Sequence, residues 1–185
     1  MTFSRKKPVG YPEISFLSFD IQGLLRNIQS KMKFNSIGPV SITLQTMETL
    51  ACIRHSKGDS GGDIYLHSLF NRPEVPQPVI EHILCHELLH LRIPAREVQG
   101  KLTHHPPEFW EAEKDLVPWV ATSWEWMSLA FWEVIKIDHL NECVWVKKSW
   151  RKHQTKPYPS WQSVLNDSRK TSDNESRVKS LMETL

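Results

Sequence analysis

The sequence predicts an α+β domain, and three observations carry that prediction. Leu17, Ile21, Leu24, Leu25, Ile28 and Met32 recur at helical spacing. "VSITLQT" and "DIYLHS" alternate apolar and polar residues, as half-buried strands do. "ILCHELLHLRIP", residues 83–94, is too apolar for a surface segment, yet it holds His86, Glu87 and His90. A helix, then strands, then further helices imply a small, mostly antiparallel sheet of about three strands with helices packed on it.

Taken in order, the first helix spans about 16–33, with Gly23 a weak point inside it. Gly38-Pro39 stops the chain before a strand that places Val40, Ile42 and Leu44 on one face. "LACIRH" reads as a second strand, "SKGDSGG" as a turn, and "DIYLHS" as a third strand. Three prolines make "NRPEVPQP" a loop, because each removes a backbone donor and disfavours helix before it. A helix opens at Gln77 or Pro78 and runs to about Arg92, where Pro94 stops it. Another opens at Pro106 or Pro107 and carries Phe109, Trp110 and Leu116 up to Pro118. Trp119–Trp132 reads as a further helix, and "WEVIKID" with "CVWVKKS" as a hairpin. The division this suggests is a domain over 1–132, a tryptophan-rich extension over 133–165 and a polar, poorly ordered tail over 166–185.

The totals narrow the class. At 185 residues the chain can bury a real core, and 39% hydrophobic with 24% charged residues is a globular composition. A net charge of +2 does not by itself imply a nucleic-acid partner. Arg5, Lys6 and Lys7 precede "ISFLSF", but that run is short, broken by serine and ends at Asp20, so no secretory signal is expected. No stretch is long enough to span a membrane. Cys52, Cys85 and Cys143 are odd in number and widely spaced, which predicts free thiols in a reducing cytoplasm.

The chemistry lies in the 83–94 run. An ionisable group in apolar surroundings costs several kcal/mol unless it is paired or bound to a metal. At about 100° per residue, His86 and His90 differ by about 40° around the helix, so both imidazoles reach one point. Glu87 lies about 60° further round, able to lean over that point without occupying it. Ile80, Leu84, Leu88 and Leu91 take the opposite side. H-E-x-x-H on a helix supplies two zinc ligands and a general base. His82, one turn earlier, flanks the same face. A third ligand is required, and "KLTHHPPEFWEAEK" offers His104, His105, Glu108 and Glu111. His105 is the expected ligand. It precedes Pro106, which biases it to an extended backbone, and the following helix is anchored by Phe109 and Trp110.

"HELLHL" followed by "HHPPEFW" resembles the SprT-like and minigluzincin-type zincin peptidases, especially small bacterial metal-dependent hydrolases among them. The resemblance covers about residues 15–120. It implies a zincin-like fold, a Zn2+ cofactor on His86, His90 and His105, and Glu87 as the base that activates water against a peptide bond. It also selects His105, the histidine four residues before F-W. His104, Tyr65 and Arg96 are candidates for stabilising the oxyanion. By the same analogy, "DIYLHS" is the edge strand to which an extended protein or peptide substrate would add.

Two other readings stand beside this one. Residues 147–185 carry nine Lys or Arg against four acids, with Trp145, Trp150, Tyr158 and Trp161 interleaved. That pattern suits either a nucleic-acid (DNA) contact or a solvated segment whose aromatics pack back on the domain. Alternatively, the zinc is structural and the site catalytically idle.

Overall fold

In the computed structural model, the described residues are 18–32, 38–56, 61–98, 100–138, 143–153 and 157–170. Among them the chain is α+β, with five α-helices and three small sheets.

Helix α1 (Ile21–Lys31) is capped by Asp20, whose carboxylate accepts from the Gln22 N–H at 3.0 Å. Ile21, Leu24, Leu25 and Ile28 are its buried stripe, as the periodicity predicts. Gly23 has a local reason: a Cβ there would stand 2.5 Å from the capping Asp20 Oδ2. Strands β1 (Val40–Gln45), β2 (Ala51–His55) and β3 (Gly62–His67) form one sheet in the order β1-β3-β2. The sheet is mixed rather than mostly antiparallel: β3 runs parallel to β1 and antiparallel to β2. Ile64 and Leu66 of β3 are fully buried, each registered against a neighbour on β1, Ile42 and Leu44.

Helix α2 (Gln77–Arg92) starts behind Pro76 with a proline in its first turn and ends at Ile93, just before Pro94. Its expected apolar back is present, with Ile80, Leu84 and Leu88 fully buried. Its front is also covered, so His82 is buried beside Glu113 and Trp124, while Glu81 is buried against α1 through Lys31 and Glu87 on the pocket side. The covering elements are α3 (Pro107–Leu116) and α4 (Val120–Phe131). Between α2 and α3 lies a hairpin absent from the sequence reading, β4 (Arg96–Val98) and β5 (Lys101–Thr103). It turns at Gly100, whose φ of +80° suits glycine.

The expected hairpin near the C-terminus is present as β6 (Ile135–Asp138) and β7 (Cys143–Val146). Residues beyond 132 do not stand apart from the domain: Val134, Ile135, Val146, Trp150 and Val164 join the same core as α1 and α2. Fully buried Trp126 of α4 donates its Nε1–H to the Pro159 carbonyl at 2.8 Å and meets Tyr158 edge-on. Helix α5 (Trp161–Lys170) packs on α4 and carries the chain five residues into the stretch expected to be a loose tail. The rest of that expectation, 171–185, lies outside the described residues, as do residues 1–17, which hold most of the segment where no secretory signal is expected. Among the described residues, no helix is long and apolar enough to cross a membrane.

Candidate metal centre

The structure brings His86, His90 and His105 together, with one ring nitrogen from each lying within 4.8 Å of the others. His86 and His90 come from successive turns of α2, and His105 from the segment that leads through Pro106 into α3. Pro106 is extended (φ −64°, ψ 162°), which holds His105 at the mouth of that helix. The anchor is aromatic: the His105 ring lies 4.9 Å from Phe109 and 5.0 Å from Trp110, and Phe109 is fully buried.

The donor set fits a zinc ion. His86 Nε2 and His105 Nε2 are 3.1 Å apart. Two ligands at zinc–nitrogen distances of about 2.0–2.1 Å in tetrahedral array would be roughly 3.3 Å apart. The other nitrogen of His86 is engaged by the carboxylate of Glu113, Nδ1 to Oε1 at 2.8 Å. A carboxylate on Nδ1 fixes the tautomer that leaves Nε2 free for metal. Glu113 also meets His82 Nε2 at 3.3 Å, so His82 joins the site through Glu113 rather than as a ligand.

Electrostatics agree with this arrangement. Burial holds His105 down to about 3, with His86 adding to the effect. His90 lies well below the ordinary histidine range, through burial and then the neighbouring His86 and His105. Both are therefore neutral, the form that binds metal. For His86, burial pulls downward, but the Glu113 hydrogen bond and charge outweigh it and the net shift is upward. Burial works to raise Glu113, yet the hydrogen bonds from His82 and His86 hold it well below the usual carboxylate range. Glu87 is pushed up to about 7, mainly by burial.

Glu87 and the histidines open into a pocket of about 450 Å3. One wall is a nearly continuous run of chain, Thr49–Ile53 and His55, facing His82, Ile83, His86, Glu87 and His90 of α2. This corrects the expected substrate edge. "DIYLHS" is the central strand β3, paired on both sides, whereas β2 is the sheet edge that borders the pocket. Of the oxyanion candidates, His104 lines the pocket, while Tyr65 and Arg96 do not. Arg96 is tied to Glu108 at 2.6 Å, which also occupies one of the alternative glutamate ligands. Glu111 is exposed and outside the cluster.

Sequence reasoning missed Glu113. Its signal was position: it follows Phe109 by four residues, so it sits on the buried face of α3 where an apolar residue belongs. The pocket walls supplied by Trp124, Met127 and Val144 were missed as well. Comparison with protein-family models, curated proteins and solved structures found no match to this chain.

Proposed function

We propose that the protein is a zinc-dependent peptidase of zincin type, acting in the cytoplasm. One observation carries the reading: three converging imidazoles stand beside a buried glutamate, in a pocket walled by the edge strand β2. His86, His90 and His105 would hold zinc, which would supply Lewis acidity at the site. Glu87 lies on the pocket side of α2, outside the three-nitrogen cluster, and takes the proton from the attacking water. Its elevation to about 7 suits a group that must accept a proton and then return it to the leaving amine. Among the described residues β2 pairs with a strand on one side alone, and its outer edge beyond Ala51, whose carbonyl accepts from the Thr49 hydroxyl at 3.0 Å, is the edge an extended peptide would join. Of the oxyanion candidates, His104 draws support from lining the pocket.

The nucleic-acid alternative draws less support. Trp150 is buried against His67, and Tyr158 packs between Trp126 and Phe131, so neither presents a free face for stacking. Zinc content and peptide hydrolysis, measured on wild type beside Glu87→Gln, test the proposal. Zinc with hydrolysis lost only in the variant supports it; a folded wild type that takes up no zinc overturns it.

A further inference from the structure

Helix α2 carries three histidines at successive turns, His82, His86 and His90, yet only the last two join His105 in the cluster. His82 is the most deeply buried of the three. An imidazole inside the protein and outside the cluster needs a partner to offset its lost water. The partner is Glu113: His82 Nε2 lies 3.3 Å from Oε1, the same oxygen that His86 Nδ1 meets at 2.8 Å. Glu113 Oε2 has no hydrogen-bond partner among the described residues. Two rings of one helix therefore converge on a single carboxylate oxygen of α3. Trp124 of α4 meets the His82 ring edge-on, with centroids 5.7 Å apart, and limits how that ring can turn.

We propose that His82 is a positioning residue of the metal centre: it pins Glu113 Oε1 and thereby holds His86 with a proton on Nδ1 and Nε2 bare. The inference rests on the zinc site of the peptidase reading and deepens it. A carboxylate accepts through two equivalent oxygens. Held by His86 alone, Glu113 could turn and present either one, and the His86 ring could turn with it. A second donor on the same oxygen, rooted one turn away on the same helix, leaves a single arrangement that satisfies both rings. A ligand fixed in this way loses less side-chain freedom when it takes up an ion. The working unit on α2 is then one turn longer than H-E-x-x-H, with His82 acting on His86 through Glu113. A ring that merely filled the space between α2 and α4 would have no bearing on the His86 tautomer.

The test compares full-length wild type with His82→Gln, His82→Asn and His82→Met. The glutamine amide nitrogen stands as many bonds from Cβ as the imidazole Nε2 does, so it can still donate to Oε1. The asparagine amide falls one bond short, and methionine offers no donor. Zinc affinity is measured by competition with a fluorescent chelator. The His86 tautomer is read in the metal-free protein by long-range proton–nitrogen NMR correlation at alkaline pH, its signals assigned by their loss in His86→Ala. His82→Met and His82→Asn should bind zinc about tenfold more weakly than wild type. In both, His86 should no longer be held as the Nδ1–H form. His82→Gln should stay close to wild type in both readouts. Should the methionine variant not fold, glutamine against asparagine carries the same comparison. Unchanged affinity and tautomer in the methionine and asparagine variants overturn the proposal. So does a fall in affinity with the His86 tautomer unaltered, which marks packing alone. Metal-free wild type with the proton on His86 Nε2 overturns it without any variant. Failure of the peptidase reading is separable: zinc bound without hydrolysis sinks the reaction and leaves His82 its role. If wild type takes up no zinc, the reading falls, and the metal-free tautomers still decide whether His82 orients His86.

Discussion

His86 Nδ1 and Glu113 Oε1 meet at 2.8 Å, inside a site where the Glu113 side chain is fully buried. The pair joins α2 to α3 and decides which imidazole nitrogen faces the other two histidines. A buried carboxylate without partners would cost several kcal/mol. Here two histidines compensate it, and the same contacts orient one of the three clustered imidazoles.

Glu113→Gln should therefore weaken zinc binding by about 10- to 100-fold, as loss of an outer carboxylate generally does. The amide oxygen can still accept from His86 Nδ1, so the fold should persist. Competition with a fluorescent zinc chelator measures the change. Unaltered affinity would mean that Glu113 serves packing alone.

Between the adjacent histidines, His105 is the one in the cluster. His105→Ala should abolish tight zinc binding, because three donors become two. His104→Ala should leave affinity within a few-fold and lower kcat if it donates to the oxyanion. Glu108→Ala should also spare zinc, since that carboxylate is held by Arg96. Isothermal titration of the three variants with zinc decides, and loss confined to His104→Ala would reverse the assignment.

How much of this was legible follows from how local each signal is. The α2 bounds and the H-E-x-x-H face came directly from 3.6-residue spacing and flanking prolines. His105 was legible because Pro106 and Phe109 constrain it within a few residues. The strand order was not. Pairing β1 with β3 in parallel requires a crossover, and nothing in "LACIRH" says that it lies outside "DIYLHS". The β4–β5 hairpin has three residues per strand, too few for a period to show. Helix α5 was read partly as tail because its neighbours are polar, and among its residues whose exposure is described Val164 alone is fully inside. Glu113 was hidden by its own charge, which ordinarily marks a solvated position.

Truncation after Ser149 would leave every proposed ligand in the chain, and from sequence it should spare zinc. The structure reverses the expectation for the fold. Such a chain loses Trp150 and Val164 from the core and strips Trp126 of Tyr158 and its acceptor Pro159. Each large buried side chain lost costs about 3–5 kcal/mol, and an orphaned buried N–H about 1–3. Together these approach the whole stability of an ordinary domain, about 5–15 kcal/mol. Circular-dichroism melts of 1–149 should show no cooperative transition. A truncated chain melting like the full one would show that the segment is dispensable.

The last prediction concerns acid. His67, at the end of β3, is fully buried, accepts from the Leu69 N–H through Nδ1 and packs edge-on against Trp150 at 4.8 Å. Burial, then the nearby Arg151 charge, lowers it from 6.5 to about 4. In the unfolded chain it binds a proton at the ordinary histidine value, so between about 6.5 and 4 the unfolded state holds more protons than the folded one. The stability from neutral His67 is therefore complete above pH 6.5, falls as pH drops through that window, and is gone near pH 4. Integrated over the window it amounts to about 3 kcal/mol. His67→Asn keeps an acceptor for the Leu69 N–H but cannot titrate, so its stability should fall less steeply from pH 7 to pH 4.5 than the wild type's. Urea denaturation across that range reads the two slopes. Parallel curves would show that His67 is protonated equally in both states and that burial there is not what it costs to acidify this protein.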